Sequence, residues 1–189
     1  MLRAAAIRLD RDRPFDGFTV TYDQDELQFP VFVLMLLTGS LAYASLSERS
    51  IALLTLSVFL GAFAFYNFPL LETGRIRLAA NSDSLFIDGL GRVGWRFIQN
   101  ISLAEVIMRG NSYKEADICL STSLPIALSD DARNMPLHRR LMRKPFYLTG
   151  ERTIRVPLEI FDRSPDDVID SLLRTWIYNR AKPIKGSFG

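Results

Sequence analysis

Residues 30–71 read PVFVLMLLTGSLAYASLSERSIALLTLSVFLGAFAFYNFPLL, and this stretch decides the fold. It contains two apolar runs, and neither run has an Asp, Glu, Lys or Arg residue. Each run, the first counted from Leu27, has about 20 residues, which as a helix rises roughly 30 Å and matches the hydrocarbon core of a bilayer. The polar residues 47–50 between them suit a tight reversal. The stretch therefore predicts a transmembrane helical hairpin.

Two other interpretations of these runs fit less well. The central helices of a soluble all-α domain are usually shorter and carry a polar stripe, which neither run shows. A cleaved signal peptide would follow a basic n-region, whereas the first run begins about 27 residues in, behind an arm of mixed charge, and a second run follows at once. Gly39 and Gly61 offer small surfaces where two helices can approach closely. An uncleaved hairpin is the better interpretation.

Composition limits what the rest of the chain can do. The chain has 189 residues, and about 118 of them follow Leu71, which is enough to bury a core. The net charge of +2, from 23 basic and 21 acidic residues, does not by itself indicate a nucleic-acid partner. Cys119 is the single cysteine and His138 the single histidine, so the sequence predicts no intrachain disulfide, no metal centre and no cofactor.

The orientation of the hairpin follows from its flanking charges. Two spans place both flanks on one side of the membrane, and the connector offers one Arg and one Glu. Basic residues are retained on the cytoplasmic side, which predicts a multi-pass protein with both termini in the cytoplasm. The flanks carry the basic residues Arg11, Arg13, Arg75, Arg77 and Arg92.

After the hairpin the sequence changes to short strands. Antiparallel strands at this spacing, joined by tight turns, are typical of a barrel or a sandwich. The arm, residues 1–28, contains one alternating run at 18–22 that is a plausible strand. The runs that predict strands after the hairpin lie at 75–79, 84–88, 93–98, 103–108, 117–122, 146–148 and 153–158.

A final amphipathic helix is predicted within 162–180. Ser164 is a good N-cap, Pro165 suits the first helical position, and two aspartates follow in the first turn. Its apolar residues recur every three to four positions, so one face can cover an open side of the sheet. The predicted organisation is an arm at 1–28, a hairpin at 29–72, a domain at 73–180 and a polar tail at 181–189.

Three stretches carry a resemblance to a known family: LFIDG at 85–89, GRVGWRFI at 91–98, and the run from Val156 through Ser164 to Leu173. In these stretches the chain looks like the bacterial membrane proteins in which a two-helix hairpin precedes one pleckstrin-homology-like (PH-like) domain. The resemblance implies an α+β membrane protein of the bacterial inner membrane, with a PH-like antiparallel β-barrel or sandwich capped by a C-terminal helix. It transfers no catalytic residue, and the insert at 123–145 departs from the pattern.

The best candidate site is a basic cluster in this insert. If the segment after Pro136 is helical, Leu137 and Leu141 share one face and basic side chains flank them. Such a surface suits anionic lipid headgroups or a protein partner; the alternative is a solvated loop whose Leu and Met residues dock on the barrel. The candidate contact residues are Arg133, His138, Arg139, Arg140, Arg143 and Lys144.

No other pattern indicates chemistry. Cys119 has no evident basic partner, so we expect an inert thiol, and the sequence shows no catalytic triad, metal cluster or nucleotide loop. The spans contain no ionisable residue to line a polar path, which disfavours a transporter or a membrane-embedded enzyme. We therefore expect a non-enzymatic binding or adaptor module that contacts membrane lipids. The alternative is a structural subunit of a larger membrane complex, or an oligomer, formed through the transmembrane helices.

Overall fold

The computed structural model describes residues 17–108, 110–128 and 136–180, which form an α+β fold. Its helices are α1 (Gln24–Glu48), α2 (Ile51–Asn67), α3 (Leu124–Ala127), α4 (Leu137–Leu141) and α5 (Pro165–Arg180), with 3-10 turns at Phe68–Leu71 and Trp95–Phe97. Its strands are β1 (Phe18–Val20), β2 (Leu78–Ala80), β3 (Ser84–Ile87), β4 (Gly91–Gly94), β5 (Ile98–Met108), β6 (Asn111–Leu120), β7 (Tyr147–Leu148) and β8 (Thr153–Pro157).

The two predicted apolar helices are present as α1 and α2. The segments Gln28–Glu48 and Ile51–Leu71 are long and apolar enough to cross a membrane, by length and composition. Only 11% and 17% of their most hydrophobic windows are buried within the protein. The core helix of a soluble protein is mostly buried, whereas most of the large apolar side chains on these helices are exposed.

The two helices contact each other through small and hydroxylated residues. The Ser57 hydroxyl donates to the carbonyl oxygen of Thr38 at 3.0 Å. A Cβ atom added to Gly61 would lie 3.3 Å from Cγ2 of Thr38, so Gly61 allows the helices to approach closely. Gly39 faces open space instead. Of the two small surfaces predicted from the sequence, the one at Gly61 is therefore used inside the hairpin.

The strands form two four-stranded antiparallel sheets and not a closed barrel. The first sheet has the order β1-β2-β3-β4, and the second has the order β5-β6-β8-β7. The arm contributes β1, in which Phe18 pairs with Ala80. The sequence predicted one strand over 93–98, but the 3-10 turn at Trp95–Phe97 separates β4 from β5. This turn divides the strands between two sheets, and Trp95 is fixed there because its Nε1 donates to the Asn81 carbonyl at 2.8 Å.

Both sheets and α5 contribute to one hydrophobic core, and we call the two sheets with α5 the body. The buried residues of α5 include Val168 and Leu172, and the indole Nε1 of Trp176 donates to the Ile98 carbonyl at 3.3 Å. The predicted N-cap is confirmed, since the Ser164 hydroxyl accepts a hydrogen bond from the backbone N–H of Asp167 at 3.2 Å. The C-terminal helix thus covers the core as the sequence predicted.

Candidate functional site

The hairpin is attached to the body at both of its ends. Before α1, the N–H of Asp23 donates to the Ile160 carbonyl at 3.0 Å, and the ring of Tyr22 stacks on Phe161 with centroids 6.4 Å apart. After α2, the 3-10 turn Phe68–Leu71 brings the chain directly into the body. We call residues 21–23 and 66–72 the hairpin base. Two attachments limit how freely the helices can tilt against the sheets.

Arg77 is buried against the hairpin base, with a side chain that is 1% exposed. Its guanidinium donates to the Asp88 carboxylate and to the Pro69 carbonyl, and Nη2 also donates to Oε2 of Glu72 at 3.0 Å. The guanidinium carbon lies 4.5 Å from the ring centroid of Tyr22, in cation–π contact. Burial raises the pKa of Tyr22 to about 12, although the charge of Arg77 acts in the opposite direction. One arginine therefore connects the end of α2 to the first sheet.

Glu72 joins this network to α4. Both carboxylate oxygens of Glu72 accept hydrogen bonds from Arg139, one of them from Nη1 at 2.8 Å. Nε of Arg75 lies 3.6 Å from the same carboxylate. Burial acts to raise the pKa of Glu72, but the hydrogen bond from Arg139 and the surrounding arginine charges together hold it below its ordinary value. The two-pronged contact fixes both the position and the orientation of α4.

Of the predicted contact residues, Arg139 and Arg143 lie at the hairpin base. Arg133 is outside the described residues. The backbone N–H of Arg143 donates to the Tyr66 carbonyl at 2.9 Å, and its Nη1 lies 3.5 Å from Oδ1 of Asn67. This places a cation at the C-terminal end of α2, where it complements the helix dipole. The basic segment is thus docked against the end of the second apolar helix.

The structure divides the basic cluster into two groups. Arg139 and Arg143 are partly buried and contact the hairpin base, whereas His138, Arg140 and Lys144 are exposed. Leu141, on the same short helix, is 70% exposed, while Met142 beside it is buried. One part of the segment therefore holds it against the hairpin base. The other part faces outward and combines positive charge with an exposed leucine. Such a surface can bind an anionic group beside an apolar layer.

The sequence did not single out Glu72, Arg77, Asp88 or Tyr22 as members of a site. Arg75 and Arg77 counted there only as flanking charges for membrane orientation. One signal was present: an acidic residue directly after an apolar span, followed by two arginines two positions apart.

The described residues offer little for metal or thiol chemistry. No group of three His, Cys, Asp or Glu side chains that could hold a metal ion occurs within 17–108, 110–128 and 136–180. Cys119 lies half-buried in β6, the strand in which the sequence placed it. The predicted aspartates at the start of α5 serve the fold, since Asp166 pairs with Lys114 across 2.7 Å.

We expect Glu72→Gln to flatten the acid side of the stability profile. The carboxylate has a lowered pKa when folded, so its stabilising contribution is complete above the ordinary value of 4.5 and is lost as the pH falls through the folded pKa. Unfolding midpoints measured from pH 7 downward should fall less steeply for Glu72→Gln than for the unchanged protein. The control is Glu151→Gln, which removes one carboxylate from an exposed turn away from the hairpin base. Identical profiles for all three proteins would contradict the stabilising role of the Glu72 carboxylate.

No protein-family model, curated protein or solved structure matches this chain. The resemblance to PH-like membrane proteins therefore stays a prediction from the sequence. What the chain does has to be inferred from the hairpin, the hairpin base and the outward part of α4.

Proposed function

We propose that this chain is a non-enzymatic binding module with a PH-like body, held at the cytoplasmic face of the bacterial inner membrane by α1 and α2. The observation that carries the proposal is the exposed apolar surface of both helices, which are attached at two points to a body with a hydrophobic core. An apolar surface of this size is unfavourable in water and is expected where lipid covers it.

The polar groups of the helices support a lipid environment. The exposed hydroxyl of Ser40 donates to the Leu36 carbonyl at 2.9 Å, and that of Thr55 donates to the Ile51 carbonyl at 2.9 Å. Hydrogen-bonding groups in the hydrocarbon layer need partners within the protein, because water is absent there. The hydroxyls of Ser40 and Thr55 meet that requirement inside their own helices.

The charge distribution supports cytoplasmic termini. Arg75, Arg139 and Arg143 lie at or beside the hairpin base, whereas the turn between the helices offers Arg49 next to Glu48. Cytoplasmic segments near a span are enriched in Lys and Arg, so the hairpin base is the cytoplasmic end. In this orientation α4 lies close to the inner leaflet, which carries anionic headgroups.

The ligand that suits α4 and the residues just after it is an anionic lipid headgroup. Arg140 in α4 and Lys144, three residues after its end, are exposed, and each basic residue near such a surface contributes about 1 kcal/mol. Leu141, the last residue of α4, is exposed as well, so the same contact can bury apolar area. The position of α4 at the end of α2 favours lipid over a partner from solution.

Native mass spectrometry of the full-length protein in mild detergent tests this assignment. The unchanged protein should retain phosphatidylglycerol in preference to phosphatidylcholine. Arg140→Ala/Lys144→Ala should weaken retention by roughly 30-fold, corresponding to about 2 kcal/mol. Arg152→Ala/Arg174→Ala removes the same charge from exposed positions away from α4 and is the matched control.

Three outcomes of this measurement can be separated. Equal loss of lipid in both double variants would mean that net charge, and not α4, retains the headgroup. A protein that co-purifies and is lost only in Arg140→Ala/Lys144→Ala, without lipid adducts, would make the chain an adaptor for that partner. Retention of neither lipid nor protein would overturn the binding role.

A structural subunit of a larger membrane complex is the second candidate. The observation in its favour is Gly39, which faces open space on the exposed side of α1 and could admit a further helix. Another helix packed there would exclude lipid from that side. Membrane proteins that co-purify with the unchanged protein, and are lost on Gly39→Leu, would favour this candidate.

A further inference from the structure

The strands β5 and β6 extend beyond the second sheet as a two-stranded ribbon. β6 pairs with β8 from Cys119↔Thr153 as far as Glu115↔Pro157, where β8 ends. β5 and β6 continue to pair up to Met108↔Asn111. From Lys114 to Asn111 the ribbon rises about 10 Å at the usual spacing of a strand. We call residues 105–107 and 111–114 the ribbon tip.

The ribbon leaves the body beside the hairpin base. Directly after β8, the N–H of Leu158 donates to the Lys114 carbonyl at 3.0 Å. The same segment continues to Ile160 and Phe161, which contact Asp23 and Tyr22 just before α1. The ribbon tip therefore starts level with the beginning of α1. It extends further in the direction in which β8 runs, towards the end of the body from which the helix leaves.

Charged residues mark the start of the ribbon tip. The Lys114 ammonium contacts the Asp166 carboxylate at 2.7 Å, and its backbone N–H lies 3.4 Å from Oε1 of Glu159. Glu105 is the cross-strand neighbour of Lys114. These charged side chains lie where the ribbon leaves the body. Further along the ribbon, the exposed side chains include Ile107 and Tyr113.

Apolar side chains occur on both faces of the ribbon tip, although Ile107 shares its face with the polar residues Glu105, Ser112 and Lys114. Ile107 is 78% exposed and lies opposite Ser112, so it is on the same face as Glu105. Tyr113 is 39% exposed and lies opposite Val106 on the other face. An antiparallel pair in water normally keeps one polar face, because the sheet has one side to bury. Apolar groups on both faces indicate an apolar layer around the tip.

We infer that the ribbon tip inserts into the headgroup layer of the leaflet beside the hairpin base, as a second contact between the body and the bilayer. This inference rests on the proposed membrane anchorage. The ribbon tip starts beside the segment that contacts Tyr22 and Asp23 before α1, and Tyr113 is a residue type that favours the membrane–water interface. β5 is the end strand of its sheet, and its outer backbone groups cannot enter the hydrocarbon without partners. The contact is therefore interfacial and shallow.

A fluorescent label at Ile107 tests the inference in the full-length protein. In a Cys119→Ser background, Ile107→Cys is labelled with an environment-sensitive nitrobenzoxadiazole probe, and the protein is reconstituted into phosphatidylcholine–phosphatidylglycerol vesicles. Emission should shift to the blue, and lipids with a nitroxide on the headgroup should quench it at least twofold. Glu151→Cys, in the exposed turn between β7 and β8, is the matched control and should show neither effect.

The outcomes distinguish this inference from the membrane anchorage on which it rests. Vesicle-bound protein with the same water-like emission at both labels would overturn the ribbon contact and leave the anchor intact. Protein that fails to remain with the vesicles would overturn the anchor as well. A label at 107 that is shielded from water but insensitive to the nitroxide lipids would show that protein covers the tip, which also overturns the inference.

Discussion

Arg77→Ala is expected to destabilise the folded protein by about 3–5 kcal/mol, the usual cost of removing one member of a buried ion pair. The substitution leaves the carboxylates of Glu72 and Asp88 without their buried partner and removes a donor from the Pro69 carbonyl. Few single changes outside the core should cost as much, because the guanidinium is only 1% exposed and depends on protein groups for its hydrogen bonds.

Unfolding by urea in detergent, followed by tryptophan fluorescence, measures this effect, because Trp95 and Trp176 both lie in the body. Arg75→Ala is the control, since Arg75 approaches the same two carboxylates from an exposed position and should cost at most about 1 kcal/mol. Arg77→Lys should give an intermediate loss, because an ammonium cannot match the fork of a guanidinium. Equal unfolding midpoints for Arg77→Ala and Arg75→Ala would refute the central role of Arg77.

Val58→Arg is expected to release a large share of the protein from the membrane fraction. Val58 lies near the middle of α2 and is 64% exposed. An arginine at the centre of a transmembrane helix raises the apparent free energy of insertion by about 2.5–3.5 kcal/mol. Extraction of membranes with alkaline carbonate, followed by quantification of pellet and supernatant, measures the change.

Ile51→Arg is the matched control for this experiment. Ile51 is 80% exposed and begins α2 beside Arg49, so its arginine can reach the membrane surface at little cost. The two variants also distinguish a helix surface exposed to lipid from one exposed to water. If the surface faced water, both arginines would be solvated and neither should change the share of protein in the membrane fraction. If both variants and the unchanged protein show the same share in the membrane pellet, the proposed transmembrane anchor is refuted.

The elements defined by local patterns could be predicted from the sequence. Charge-free length predicted α1 and α2. Alternation between turn residues predicted seven strands after the hairpin in the order of β2 to β8, but β5 and β6 are longer than the runs predicted at 103–108 and 117–122. The Ser164-Pro165 start predicted α5 to within one residue. These features depend on residues close together in the chain, where period and capping chemistry act directly.

The features that depend on distant partners could not be predicted. The strand expected over 93–98 is interrupted at Trp95, whose indole is held by Asn81 in another turn. Arg77 could not be recognised as buried, because an arginine in an alternating strand is normally exposed. Its burial depends on Glu72 and Asp88 being present together. Likewise, the docking of α4 depends on Arg139 meeting Glu72, far away in the chain.

The pairing of β1 with β2 has a consequence for how the chain reaches its final topology. The two strands are neighbours in one sheet, yet α1 and α2 lie between them in the chain. If the helices cross a bilayer, the sheet can close only after an even number of crossings. A chain with one helix inserted would leave Phe18–Val20 and Leu78–Ala80 in different compartments, with the edge of the first sheet incomplete. Strand pairing would thus act as a proofreading step for insertion.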